Sequence, residues 1–125
     1  MIFGTGIDVV NIYRIKKIIK KWENRFLKKI YTDNEIEYCE KKDHTCYHSF
    51  AGIFAAKEAF AKALGTGFRD IKWKDIEISN NALGKPSINL SGGLKKMFKG
   101  KKMENTHLSI SHTKEIAIAM VIIEK

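Results

Sequence analysis

Asp8, Glu58 and Lys62 are the residues of this chain whose types and spacing could do chemistry. Glu58 and Lys62 stand four apart in an alanine-rich run, so at about 100° per residue they share a helical stripe with Ala51, Ala55 and Gly65. An acid and a base one turn apart, flanked by residues with almost no side chain, can meet a ligand that a crowded face would exclude. Asp8 follows Gly4 and Gly6 on one face of an extended segment, where two glycines leave a flat backbone surface for the alanine face of the helix to lie on. On that packing Asp8 and Glu58 converge. They would then offer hard oxygen donors suited to a cation such as Mg²⁺, with Lys62 beside them to neutralise negative charge. Taken alone, the Glu58 and Lys62 spacing is also that of a surface ion pair worth about 0.3 to 0.5 kcal/mol, so the rest of the chain has to decide.

Ile2 to Val10 alternates as a strand, with Phe3, Thr5, Ile7 and Val9 on one face and Gly4, Gly6 and Asp8 on the other. From Arg14 to Lys29 a helical stripe of Ile15, Ile18, Ile19, Trp22 and Phe26 faces the core. Arg14, Lys17, Lys21, Arg25 and Lys28 line a basic ridge, and Asn24 is a candidate break. Thr32 to Glu35 has the capping-box pattern of a short helix running to about Lys41, with a turn at Asp43 to Thr45. The long helix that follows carries an apolar stripe of Phe50, Ile53, Phe54, Phe60, Ala61 and Leu64 and stops at Gly65-Thr66-Gly67. Lys57 lies in the middle of its apolar surface, so it either snorkels past the core or reaches a phosphate.

Ile71 to Trp73 and Ile76 to Ile78 read as strand segments, and Asn80 to Lys85 as the turn of a hairpin returning through Pro86 to Leu90. Leu94 to Lys99 reads as a short helix ended by Gly100. Leu108 to Ser111 and Ile116 to Ile123 read as strands joined near His112 to Glu115. The order of strand, helices, then mostly strands predicts an α+β fold, an antiparallel sheet packed against a long central helix, in one domain over residues 1–125.

A chain of 125 residues can bury one core, and 44% hydrophobic residues with a single proline argue against disorder. The longest apolar run, Ile116 to Ile123, has eight residues against the roughly 18 of a membrane span. Asp8 interrupts the apolar start and no basic region precedes it, which argues against a signal peptide and for a cytoplasmic protein. Cys39 and Cys46 share a segment with His44 and His48, but the spacing is not that of paired zinc-ligand doublets, and free thiols are expected. The net charge of +9 attracts polyanions without choosing among nucleic acid, acidic proteins and phosphorylated small molecules.

Four groups narrow that choice: Gly6-Ile7-Asp8 with Arg14, Lys57-Glu58-Ala59 with Lys62, Gly84-Lys85-Pro86, and Ser109-Ile110-Ser111-His112-Thr113. In this order, from GIDVVNIYR through FAAKEAFAKALGTG and GKP to LSISHTKEIAIAMVIIEK, the chain resembles the holo-acyl-carrier-protein synthases, the small 4'-phosphopantetheinyl transferases. The resemblance implies transfer of the phosphopantetheine arm of coenzyme A to a serine of an acyl carrier protein, releasing adenosine 3',5'-bisphosphate. Such an enzyme works in the cytoplasm for fatty acid biosynthesis. The resemblance makes Asp8, Glu58 and Lys62 the catalytic set and gives Mg²⁺ to Asp8 and Glu58. The carrier serine attacks directly, and its proton goes to Glu58 or to a water on the metal.

The resemblance also places Lys57, Lys62, Gly65, Lys85, Pro86, Ser111 and His112 on coenzyme A. An acidic carrier protein would dock on Arg14, Lys21 and Arg25. It implies a homotrimer with active sites between subunits and part of the Ile116 to Ile123 strand at the interface. Ile53 departs from the many relatives that carry a basic or large aromatic residue nearby, which implies that the nucleotide is held by one group fewer, or that Lys57, Lys62 and Lys85 take over its part. The competing class is a basic nucleic-acid-binding module without catalysis, stacking bases on Tyr13, Trp22, Phe26 and Tyr31. Those aromatics mostly fall on the buried stripe, so no nucleic acid is expected.

Overall fold

The alternation that begins at Ile2 forms β1 (Ile2–Asn11), and Asn11 turns its end into a helix start: its side chain accepts from the Arg14 backbone N–H at 3.0 Å. In this computed structural model, which describes residues 1–125, α1 (Ile12–Trp22), α2 (Asn24–Ile30), α3 (Asp33–Glu40) and α4 (Cys46–Leu64) follow. A 3-10 turn (Trp73–Asp75) leads into β2 (Ile76–Asn80), β3 (Pro86–Leu90), α5 (Gly92–Gly100), β4 (Asn105–His112) and β5 (Ile116–Glu124). The expected α+β architecture forms, with its antiparallel strands divided between two sheets: β1-β5-β4 and the β2-β3 hairpin.

Small residues let α4 lie directly on β1. A Cβ added at Gly6 would fall 1.9 Å from the Ala59 carbonyl oxygen, and one at Gly4 would fall 2.0 Å from that of Ala63. The two glycines thus meet α4 at Ala59 and Ala63, each one residue past Glu58 and Lys62. Below it, Ala117 and Ala119 of β5 are buried, with Asp8 opposite Ala119 in register. Toward its N-terminus α4 has crossed to β4, where a Cβ on Gly52 would meet Ile110 at 3.1 Å. Gly65 closes the helix in the left-handed conformation at φ 85°, as the glycine-rich stop predicts.

The capping box at Thr32 forms in both directions: Glu35 N–H donates to Thr32 Oγ1 and Thr32 N–H to Glu35 Oε1. Two readings need correction. The break falls at Glu23, whose positive φ of 45° resets the helical phase of α2, so Leu27 and Ile30 take its core positions, while Trp22, in phase with Ile15 and Ile19 on α1, is left at the helix end, 46% exposed. Ile71 to Trp73 is not a strand. Its alternation is too short to specify one, and the Trp73 ring folds back to stack on Phe68 and Phe54 while the chain tightens into the 3-10 turn.

Candidate active site

The glycine seat brings Asp8 under α4 beside Glu58 and Lys62. Lys62 Nζ donates to the Ile7 carbonyl at 2.9 Å and to Asp8 Oδ1 at 3.1 Å, so it ties helix to strand and does not close the one-turn pair with Glu58. Asp8 and Glu58 line one cavity of about 300 Å³, together with Asn11, Arg14, Ile18 and Phe54. Burial pushes the Glu58 carboxyl above the ordinary carboxylate range and the Asp8 charge adds to the push, while Lys62 opposes it. Glu58 has no ion-pair partner of its own. Two oxygen donors facing one space, with an uncompensated negative charge between them, fit a hard cation that keeps waters or ligand oxygens in its other positions.

Lys57 is not at that site, and its expected place on coenzyme A is wrong. Its side chain has no solvent exposure, and its ammonium donates to Glu35 Oε1 at 2.7 Å, to the Ile30 carbonyl at 2.6 Å and to the Trp73 carbonyl at 3.2 Å. Glu35 in turn accepts the Ile78 N–H at 2.7 Å. Three donors meet three acceptors inside the protein, so no N–H is left for a phosphate and the side chain does not snorkel out.

Of the remaining groups, Gly84, Pro86 and His112 meet on the other side of α4, and Gly65, Lys85 and Ser111 do not join them. Asn81 Oδ1 accepts the backbone N–H of Leu83 and of Lys85, both at 2.9 Å, and fixes the turn that presents Gly84 and Pro86. Those two residues share a pocket of about 210 Å³ with His112. Lys85 and Pro86 also border a hollow between β3 and β4, and Ser111 and Gly65 are exposed. The pocket holds two side chains to which the sequence reading gave no part in binding coenzyme A, Lys42 and His48, the latter weighed there only as a zinc ligand. The only signal for His48 was its place four residues before Gly52, which leaves room on that face of the helix.

A profile of the 4'-phosphopantetheinyl transferase superfamily matches residues 4–121. The chain belongs to that superfamily. The holo-[acyl-carrier-protein] synthase of Halothermothrix orenii is 47% identical over 125 residues, which span 100% of this chain and 99% of that protein. The Clostridium tetani synthase is 49% identical over 124 residues, 99% and 97% of the two chains. Among solved structures, the Neisseria meningitidis synthase superposes with a TM-score of 0.92 at 36% identity over the whole of both chains. The Helicobacter pylori synthase, solved in complex with coenzyme A, gives 0.85 at 36% identity over 96% and 99%. The protein is thus an enzyme, a 4'-phosphopantetheinyl transferase, with the fold of the solved synthases.

On this transferase the basic ridge runs along α1 and α2, with Arg14, Lys21 and Arg25 all exposed. Arg14 lines both the carboxylate cavity and a broad groove over α1. The aromatics are more exposed than the periodicity predicted. Tyr13 lies under Lys17, and Trp22 under Lys21 and Arg25, while Phe26 is half-buried and Tyr31 fully buried. Only two of the four rings are thus withdrawn from the surface, not most of them as the stripe predicted.

Proposed function

We propose that this transferase moves the 4'-phosphopantetheine of coenzyme A to a serine hydroxyl of an apo acyl carrier protein, over residues 1–125 acting as one domain. One observation carries the reading: the cavity of Asp8 and Glu58, with Lys62 bonded to Asp8 at its edge, is bordered by Arg14, the first residue of the exposed basic ridge. A carrier docked on Arg14, Lys21 and Arg25 would bring its serine to the two carboxylates. The serine oxygen forms a bond to the phosphorus that bears the pantetheine arm, and the bond to the bridging oxygen breaks. Its electron pair leaves on adenosine 3',5'-bisphosphate. Glu58 takes the serine proton, and Lys62 neutralises the charge that grows on the leaving phosphate. Mg²⁺ held by Asp8 and Glu58 would supply further neutralisation of the pyrophosphate.

The outer face of the three-stranded sheet supports a homotrimer. Ile7 and Val9 are each 55% exposed and stand opposite Met120 and Ile118, next to Ile116, a contiguous apolar strip of the kind that marks an interface between proteins. The carboxylates and the Pro86–His112 pocket lie on different sides of α4, which supports active sites completed by a neighbouring subunit in a closed ring. We assign the enzyme to the cytoplasm and to fatty acid biosynthesis.

Mass spectrometry of apo carrier protein incubated with the enzyme, coenzyme A and Mg²⁺ tests the reaction. A gain of one phosphopantetheine is expected, lost with Glu58→Gln, with Asp8→Asn or on chelation. No gain beside an active control transferase would defeat the reading. Arg14→Glu should raise KM for the carrier far more than KM for coenzyme A. Glu58→Gln and His112→Ala subunits, denatured and reassembled together, should recover up to about a quarter of wild-type sites. No recovery in verified mixed trimers would put both residues in the same subunit's site.

A further inference from the structure

α5 carries a second basic surface, which neither the reaction nor the ridge on α1 and α2 explains. Lys95, Lys96 and Lys99 span about 100° of the helix face turned away from Leu94 and Phe98, which are buried. Lys101 and Lys102 extend the cluster past the helix end, and all five lysines are exposed. None of them makes a salt bridge, and from residue 92 to residue 104 the one acid is Glu104. Lys99, in the last turn, complements the helix dipole, which leaves the other four without that reason. The helix end is a Schellman closure: Met103 N–H donates to the Phe98 carbonyl at 3.1 Å and Lys102 N–H to that of Lys99 at 2.9 Å. Glycine ordinarily takes the left-handed position of that motif, yet here it is Lys102, at φ 58°. A lysine kept where it strains the backbone, beside others without a counter-ion, points to a use for the charge.

The make-up of the patch says which polyanion it meets. On the ridge, Arg14 and Arg25 lie with Tyr13 and Trp22, the residue types that anchor protein interfaces. The α5 patch has neither arginine nor an exposed aromatic ring. From Lys74 to Lys125 the single Phe, Tyr or Trp is Phe98, buried and stacked on Phe60 of α4, so there is no platform for unpaired bases. Lysine ammonium groups are point charges on flexible stems, which suits a diffuse sheet of anionic headgroups better than one fixed partner. We infer that the lysine patch of α5 docks the enzyme, peripherally and reversibly, on an anionic phospholipid surface. Leu94 and Phe98 belong to the core, so nothing inserts and attachment is by charge alone. The docking surface stands apart from the transferase chemistry and does not depend on it.

Sedimentation of the assembled enzyme with vesicles tests this. Equimolar phosphatidylglycerol and phosphatidylcholine should carry the wild type down at low salt and release it as salt rises, and phosphatidylcholine alone should not carry it down. Lys96→Gln, Lys101→Gln and Lys102→Gln together should weaken the partitioning on the order of a hundredfold, at about fivefold for each lysine, while modification of carrier protein in solution stays as in wild type. Lys21→Gln with Arg25→Gln, on the ridge, should retain most of the vesicle binding. Lys102→Gly relieves the left-handed backbone, so it should melt higher than wild type and yet bind vesicles about fivefold more weakly. A wild type that ignores anionic vesicles, or a triple α5 variant that binds them as wild type does, overturns the inference. So does an equal loss in the ridge variant, which would mean that net charge and not the patch is read. Tighter binding of polyuridylate than of vesicles through the same lysines would assign the patch to nucleic acid instead.

Discussion

Lys57 and Lys62 stand five residues apart on one helix and are used in opposite ways. The Lys57–Glu35 pair has no side-chain exposure on either partner, and the Lys57 ammonium has an acceptor for each of its three protons. The Lys62–Asp8 pair is 54% and 17% exposed, Lys62 makes two bonds, and Glu58 beside it makes no ion pair. Charge does not distinguish the two lysines, and neither does the helix that carries them. What differs is the capacity left over. The buried lysine joins the end of α2, the cap of α3, the 3-10 turn and, through Glu35, β2, and so has nothing to give a ligand. The exposed one keeps a proton free next to two carboxylates.

The comparison breaks most easily at Lys57. Lys57→Met would leave the Glu35 carboxylate buried without its counter-ion, a loss of about 3–5 kcal/mol. That is a large part of the roughly 5–15 kcal/mol that holds a domain together. A steep fall in thermal midpoint and soluble yield is expected. Glu35→Leu combined with Lys57→Met removes both buried charges and should recover much of the loss, less whatever the orphaned Ile78 and Thr32 N–H groups and Ile30 and Trp73 carbonyls cost. A single Lys57→Met variant that melts like wild type would show that the pair does not hold these segments together.

Gly6→Ala tests the seat that makes Lys62 available. Its Cβ would sit 1.9 Å from the Ala59 carbonyl oxygen, so β1 and α4 must separate, and overpacking of this kind costs about 1–3 kcal/mol. Separation also draws Asp8 away from Lys62 and Glu58. Transfer should therefore fall by more than the fraction of protein that unfolds, measured as turnover at a temperature where the variant is still folded. Unchanged turnover there would mean that the three groups do not depend on the close approach.

The seat and the open pair were legible in the sequence because both depend on local rules. Period-two alternation put Gly4, Gly6 and Asp8 on one face, period 3.6 put Glu58 and Lys62 on another, and the capping box and glycine stop fixed the helix ends. The closed pair was not legible. Lys57 finds Glu35 across 22 residues, and Glu35 already had a sufficient reason to be present as the capping-box acid. Trp22 was misplaced for a related reason: a single positive φ at Glu23, of which glutamate gives no warning, sends α2 off in a new phase, so Trp22 at the end of α1 stays exposed. His48 was hidden because its neighbours in the pocket come from α3, the hairpin and β4, which no spacing within one element can bring together.

The smallest effects lie on the open side, measured as stability. Lys62→Met should abolish most transfer yet shift stability by no more than about 0.5 kcal/mol, since exposed pairs contribute little. Glu58→Gln should go further and leave the metal-free protein slightly more stable at neutral pH. Burial and then Asp8 raise the Glu58 carboxyl above its unfolded value. A group raised in this way contributes stability that is fully present below the unfolded value and is lost as pH rises through the folded one. In chelator, wild-type stability should therefore decline from acid toward neutral pH more than that of the glutamine variant, which has no such proton to lose. The two should converge as pH falls below the ordinary carboxyl range. Thermal melts of both proteins in chelator across that window check this. Parallel profiles would mean that the site does not hold Glu58 at a cost to the fold, and that the contrast between a satisfied pair and an open one lies in exposure alone.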